Sequence, residues 1–345
     1  MTATAGHRLP PGPLRIVVAG GGTGGHLFPG IAVAEEIRAR SSAHQVRFIS
    51  RGNAFERAAL ARVGFPLTAI SVEGLKGRGM WNQLRGVARL PWGIAQSVVR
   101  LRAFRPDLVI GLGSYSAGPV VVAAWLLGIP VALCEQNVLP GVTNRLLERL
   151  ADRIFTAFDR TEGGFDPGKV LWTGNPLRRQ IVAAAGRAAP PGPAPARPFC
   201  VLVLGGSQGA HRLNTAMVEA LAGLGDPTGV CFVHQTGAAD EATVAAAYRR
   251  SGVTACVRPF FDDMAAQYTR AHLVVCRAGA TTVSTVRPES PGRMSVTRSM
   301  YSTEKVSPPE VLNELDENRR ISTNSVAQWG LNAIFLPGII EEKKP

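Results

Sequence analysis

The feature that most constrains this chain is an apolar run that ends in glycines and continues with helical spacing, and it occurs twice. Residues 14–19 (LRIVVA) lead into 20–26 (GGGTGGH) and then a helical pattern over 31–38, while 199–204 (FCVLVL) lead into 205–210 (GGSQGA) and a helical pattern over 211–224. A short apolar run bounded by turn signals reads as a buried strand, and glycine allows the chain to turn sharply from strand end to helix start. A loop of this kind presents backbone N–H groups and the positive end of a helix dipole, so both loops are expected to be anion sites.

Further strand-like runs lie at 46–50, 67–70, 108–110, 131–134, 154–157 and 170–172, and, after the second loop, at 230–234, 255–257 and 273–276, with a helix expected over 262–271. Strands that alternate with helices make a parallel, doubly wound sheet. The fold class is therefore α/β, with two Rossmann-like domains whose strand C-terminal edges oppose each other across a cleft. The boundaries expected are a disordered lead-in over 1–13, a first domain over 14–175, a second over 176–284 with a Pro-rich excursion at 186–198, and an atypical tail over 285–345. The second domain is expected to be incomplete.

With 345 residues, 46% of them hydrophobic, two cores can be buried. The five cysteines, Cys134, Cys200, Cys231, Cys256 and Cys276, have no paired spacing and sit in or beside strand-like runs, so they read as buried free thiols of a reducing compartment. The uncharged stretch 108–134 tempts a membrane-spanning reading. Pro119 as a helix start, Gly128 as a cap and Pro130 as a stop leave roughly ten helical residues, too few to cross a bilayer.

The net charge of +13 favours anionic partners. Between Lys76 and Arg105 stand seven basic residues and no acidic one, interleaved with Met80, Trp81, Leu84, Leu90 and Trp92. This mix suits an anionic membrane surface, with Trp81, Arg85, Arg89 and Trp92 as contacts; the competing reading is an arginine-rich solvated helix face. No nucleic-acid signature accompanies the charge, and nucleic acid is not expected as a partner.

Gly20, Gly22 and Gly25 also fit the dinucleotide fingerprint, but the end of the second strand holds Ser50 and Arg51 where an NAD enzyme wants an acid; Arg51 would suit the extra phosphate of NADP. The motifs taken together are more specific: GGGTGGHLFPG at 20–30, GLGSYSAGP at 111–119, CEQN at 134–137, GNPLR at 174–178, GGSQGA at 205–210, HQTG at 234–237, FFDDM at 260–264 and CRAGATT at 276–282. This series resembles the MurG family of glycosyltransferases, in order and spacing, from about residue 14 to 284.

The resemblance implies a B-type glycosyltransferase without a cofactor or metal, taking UDP-N-acetylglucosamine and a lipid-linked muramyl-pentapeptide, inverting the anomeric centre to a β-1,4 link in peptidoglycan synthesis. It also implies a peripheral protein at the cytoplasmic face of the plasma membrane. His26 is the implied base, since an imidazole titrates near working pH; a structural cap on the loop is the alternative. Thr23, Gly24, Gly25, Asn137, Arg178, Ser207, Phe261 and Thr282 correspond to donor-side positions, and Tyr115, Glu135 and Asn144 to acceptor-side ones. For Glu135 a buried structural carboxylate is an equal alternative, and Asn214 and Gln235 are expected to orient the second loop. Asp262 and Asp263 are adjacent and read as a helix start rather than a metal pair. Two other readings stay open: a related enzyme on another lipid-diphosphate acceptor, and a catalytically silent nucleotide- or lipid-binding remnant.

At Thr285 the chain leaves the family pattern, which has a glutamate for the ribose hydroxyls there and glutamines further on. Here Pro288 and Pro291 stop any helix begun at Thr282, alanine becomes rare, and lysines appear. The tail reads as foreign sequence, a frameshifted or spliced frame, with natural divergence as the alternative. A chain ending this way is expected to bind donor poorly and turn over little. Residues 329–340 are apolar enough to cover an exposed sheet edge.

Overall fold

A computed structural model of the chain describes residues 10–72, 89–159, 161, 164–185, 198–225, 228–277, 279, 282 and 332–335. Trp81 and Arg85, nearly all of the Pro-rich stretch 186–198, and Thr285 with nearly all of the tail lie outside the described residues. The chain divides into two compact units, the first running to Arg179 and the second beginning at Gln180.

The first unit holds a parallel sheet in the order β3-β2-β1-β4-β5-β6-β7. Its strands are β1 (Arg15–Ala19), β2 (Gln45–Ser50), β3 (Leu67–Ala69), β4 (Leu108–Gly111), β5 (Val131–Glu135), β6 (Arg153–Thr156) and β7 (Val170–Trp172). The helices are α1 (Gly24–Arg40), α2 (Ala54–Val63), α3 (Leu90–Phe104), α4 (Gly118–Leu126) and α5 (Val142–Leu147), and α6 (Arg179–Ala185) begins at the last residue of this unit and continues in the second. Successive side chains of a strand point to opposite faces, and β1 serves two cores in this way. Ile16 and Val18 pack with Leu27, Ile31, Phe48 and Leu60, whereas Val17 and Ala19 pack with Leu101, Val109, Val121 and Leu133. Leu27, Ile31 and Leu60 are each at most 1% exposed, and burying such a side chain contributes about 1.5–3 kcal/mol.

The second unit repeats the scheme in the order β10-β9-β8-β11-β12. Here β8 (Phe199–Leu204), β9 (Val230–Gln235), β10 (Thr254–Arg258) and β11 (Leu273–Cys276) are parallel, and α7 (His211–Ala220), α8 (Glu241–Arg250) and α9 (Met264–Arg270) are the helices. The last strand, β12 (Asn332–Phe335), runs antiparallel beside β11, in the stretch expected to cover a sheet edge.

Several local expectations change. The first helix begins at Gly24, inside the glycine loop, because the carbonyl of Thr23 already accepts from the N–H groups of His26 and Leu27; His26 therefore stands on the first helical turn instead of ending the loop. The helix after the second loop gives way at Leu221 to a 3₁₀ turn, and α9 starts two residues later than expected because the Asp263 carboxylate caps it, accepting from Ala266 N at 3.1 Å. Helix α4 spans nine residues with Pro119 in its first turn, and Gly128 follows with φ +67°. No helix among the described residues is long and apolar enough to cross a membrane. Cys134, Cys200 and Cys276 are buried, but Cys231 is half-buried and Cys256 exposed. The exception has a cause: Cys256 lies on β10, an edge strand with no fully buried residue. Burial pushes the thiols of Cys134 and Cys276 up to about 12.

Candidate active site

In each sheet the strand order reverses direction once, between β1 and β4 in the first and between β8 and β11 in the second. Loops leaving the carboxyl ends of two such strands diverge and leave a crevice, the usual ligand position in open α/β sheets. Both glycine loops sit at these points.

In the first unit the glycine loop is tied down from two sides. Gly21 N donates to Ser114 Oγ at 2.9 Å, and Gly22 N donates to Glu56 Oε1 at 2.6 Å. Glu56, fully buried, also accepts from Asn53 N at 2.8 Å as the second half of the capping box that starts α2. At Gly20, φ is +103° and an added Cβ would lie 2.7 Å from Ser114 Oγ, so conformation and space both require glycine. The expectation of an open anion site thus fails for Gly21 and Gly22: their N–H groups already serve a hydroxyl and a carboxylate, and a phosphate there would meet the negative charge of Glu56.

Around this loop, β5 delivers Glu135, Gln136 and Asn137. The Glu135 carboxylate is 3% exposed. One oxygen accepts from Asn137 N and Nδ2 and the other from Gly141 N and Asn144 Nδ2, all at 2.9 Å. All four of these bonds are made inside the protein. His26 is half-buried, with Nδ1 3.1 Å from Gln136 Oε1. Arg178 lies with its guanidinium 4.5 Å from the centroid of Phe28 on α1, and Tyr115 accepts from Arg51 Nη1 at 3.2 Å. Arg51 is thus engaged with the loop after β4, in place of the NADP phosphate it would have suited. Thr23 and Gly25 are exposed and Gly24 is buried.

In the second unit, residues 205–210 precede α7. Gln235, at the end of β9, ties the loops after its two neighbouring strands together: its Nε2 donates to Gly206 O at 3.0 Å and its Oε1 accepts from Phe261 N at 3.0 Å. Asn214 holds the neighbouring turn, donating from Nδ2 to Thr236 O at 2.9 Å and to Asp240 at 2.7 Å. Gln235 thus holds the glycine loop as expected, whereas the Asn214 side chain holds the turn after β9 instead. Beneath lies His234, fully buried, with Nε2 3.1 Å from Asn214 Oδ1 and Nδ1 3.2 Å from the Tyr248 hydroxyl. Burial pulls the His234 imidazole down to about 4, against a weaker upward pull from the charge of Asp240. Ser207, Phe261 and Thr282 are half-buried at the rim.

Residues 16–156 match the glycosyltransferase family 28 N-terminal domain, and residues 200–286 match the corresponding C-terminal domain. The chain belongs to glycosyltransferase family 28. Among curated relatives, the UDP-N-acetylglucosamine–N-acetylmuramyl-(pentapeptide) pyrophosphoryl-undecaprenol N-acetylglucosamine transferase of Pelobacter propionicus is 46% identical over 291 residues, covering 79% of this chain and 77% of that protein. The enzyme of the same name from Anaeromyxobacter dehalogenans is 47% identical over 272 residues, with coverage of 79% and 70%. Among solved structures, Acinetobacter baumannii MurG aligns with a TM-score of 0.56 at 31% identity over 79% of this chain and 74% of that one. The chain is thus a glycosyltransferase of two Rossmann-like domains, as the motif series implied.

Three residues of the site were missed by sequence reasoning: Glu56, Ser114 and Gln136. The capping-box pattern Asn53-x-x-Glu56 was legible as a helix start, but Glu56 lies 34 residues from the Gly22 it holds, and nothing local announces that contact. Gln136 sat inside a quoted motif with no role given to it. Of the residues expected to touch a membrane, Arg89 is exposed at the start of α3 and Trp92 is 62% exposed.

Proposed function

We propose that this chain moves N-acetylglucosamine from UDP-N-acetylglucosamine to the muramyl sugar of a lipid-linked pentapeptide diphosphate, the step of peptidoglycan synthesis its relatives are named for. One observation carries the mechanistic reading: an imidazole stands half-exposed on the first turn of the helix at the first sheet's switch point, where a base for the acceptor hydroxyl is needed. His26 takes the hydroxyl proton, the oxygen attacks the anomeric carbon opposite the bond to UDP, and the configuration inverts. The leaving diphosphate gains charge, and the loop 205–210 with Ser207 at the start of α7 is suited to meet it, aided by Arg178. Thr23, Gly24, Gly25, Asn137, Phe261 and Thr282 complete the donor side. Tyr115 and Asn144 serve the acceptor; the buried Asn144 Oδ1 has no partner among the described residues and is an acceptor to spare. Glu135 acts by holding Asn137 and Asn144 in place. The first unit is the acceptor domain and the second the nucleotide-sugar domain.

The test is transfer of labelled N-acetylglucosamine from UDP to a lipid-linked muramyl-pentapeptide, run beside a chimera carrying a family-type ending after Ser284. A ribose diol held by a carboxylate gains charge-assisted hydrogen bonds that threonine supplies less well, worth about 1–3 kcal/mol. The chimera is expected to bind donor about 10–100-fold more tightly and to turn over faster. Equal behaviour of the two would refute the account of the tail as foreign, and transfer by neither would refute the activity.

The same unit supports a peripheral place at an anionic membrane, on its cytoplasmic side. Beside Trp92, α4 carries Trp125 at 53% and Leu126 at 58% exposure, and α5 carries Leu146 at 74% between Arg145 and Arg149. Apolar side chains among arginines suit the headgroup region of a bilayer. Replacing Trp92, Trp125 and Leu126 with serine is expected to release the folded protein from phosphatidylglycerol vesicles; undiminished binding sinks the proposal.

A further inference from the structure

Either ring nitrogen of a neutral histidine can carry the proton, and only the one without it can act as a base. The 3.1 Å separation of His26 Nδ1 from Gln136 Oε1 does not by itself say which. The other end of the amide decides. Gln136 Nε2 lies 3.3 Å from the carbonyl oxygen of Cys134, a group that only accepts, so the amide nitrogen must face it and Oε1 must face the imidazole. Turning the amide over would set two carbonyl oxygens against each other. An oxygen opposite Nδ1 requires a hydrogen on Nδ1. Gln136 is 3% exposed, so water does not offer a ready substitute for either bond. The same Cys134 carbonyl accepts from Asn144 Nδ2 at 3.0 Å, which fixes its direction further.

We infer that Gln136 is a positioning residue that holds His26 in the Nδ1–H form and so leaves the lone pair on Nε2 for the acceptor hydroxyl. The inference rests on the reading of His26 as the base. In the step, Nε2 takes the hydroxyl proton while the oxygen bonds to the anomeric carbon. The carbon–oxygen bond to UDP breaks with its electron pair on the diphosphate, and the imidazolium keeps its Nδ1–H on Gln136. The orienting group is a neutral amide, not a carboxylate. The carboxylates on the neighbouring elements are committed elsewhere, Glu56 to the N–H groups of Gly22 and Asn53, and Glu135 to Asn137, Gly141 and Asn144. The neighbouring cation, Arg178, lies over the Phe28 ring.

The test uses the full chain labelled with ¹⁵N-histidine. Ring-nitrogen shifts assigned through His26→Ala are read at a pH where the imidazole is neutral, and transfer to the lipid-linked acceptor is followed in parallel. The wild type is expected to show a protonated Nδ1 and a bare Nε2, and Gln136→Leu a mixture of tautomers with kcat lower by about 10²-fold and donor KM within about twofold. In Gln136→Glu a carboxylate faces Nδ1 and favours the imidazolium, so the acid limb of kcat/KM is expected to move up by about one pH unit, a shift that a merely structural role does not produce. A wild type protonated on Nε2 overturns the inference even if His26→Ala is inactive, and needs no variant to fold. Full turnover by a folded Gln136→Leu also overturns it. Full turnover by His26→Ala instead strikes the reading beneath it, and leaves the tautomer as a separate measured fact.

Discussion

The two glycine loops are built on the same strand, turn and helix, yet they close in different ways. The first is closed by side chains from distant elements: a serine after β4 and a buried glutamate on α2 take the N–H groups of Gly21 and Gly22. The second is held by an amide from the end of β9, Gln235, which ties Gly206 after β8 to Phe261 after β10. An internal carboxylate fills the place an external anion would take. The first loop is thereby fixed just ahead of His26, and the second is the one the proposed function assigns to the diphosphate. The difference teaches that a glycine loop before a helix marks a crevice, while its neighbours decide what the crevice holds.

The comparison breaks most visibly at the chemistry. His26→Ala is expected to lower turnover about 10²–10⁴-fold with donor affinity nearly unchanged, whereas Gln235→Leu, which frees Gly206 and Phe261, is expected to weaken UDP-N-acetylglucosamine binding about tenfold. Calorimetry and steady-state transfer assays on both proteins check this, and a reversed pattern would falsify the division of labour. A second contrast is in pH. Buried and neutral, His234 has a folded value of about 4 against an ordinary 6.5. As pH falls from 6.5 to 4 the unfolded chain takes up a proton that the folded second unit refuses, so stability drops across that window, by on the order of 3 kcal/mol, and levels off below it. His234→Gln is expected to flatten the slope in urea melts read at several pH values; an unchanged slope assigns it to other groups. The smallest effect is in the first loop. Glu56→Ala leaves the N–H groups of Gly22 and Asn53 without their acceptor and is expected to cost about 1–3 kcal/mol in stability. Glu56→Gln, which keeps an acceptor oxygen, should cost less. If Glu56→Ala melts like the wild type, the carboxylate is not what closes the loop.

Much of this was legible because it is written locally. Alternating apolar runs and helical spacings gave the parallel sheets, the proline and glycine around 119–130 kept α4 short, and the spacing of eight motifs pointed to the family before any coordinates. These signals survive in a linear reading since each depends on neighbours within a few residues. The support that Gln235 gives the second loop was also legible, because the motif at 234–237 carries that residue.

What the sequence could not determine was long-range partnership. That Gly22 is held by Glu56, that the Glu135 carboxylate is spent on four internal donors, and that Cys256 faces outward on an edge strand all follow from how the sheets bring distant segments together. The orientation of His26 is the sharpest case. Its residue type suggested a base, but which nitrogen is free depends on an amide 110 residues away, whose own direction is set by a backbone carbonyl on β5. A hydrogen bond exists only between groups that the fold has brought within about 3 Å, so residue type determined the candidates and tertiary packing decided which of their atoms remain free to act.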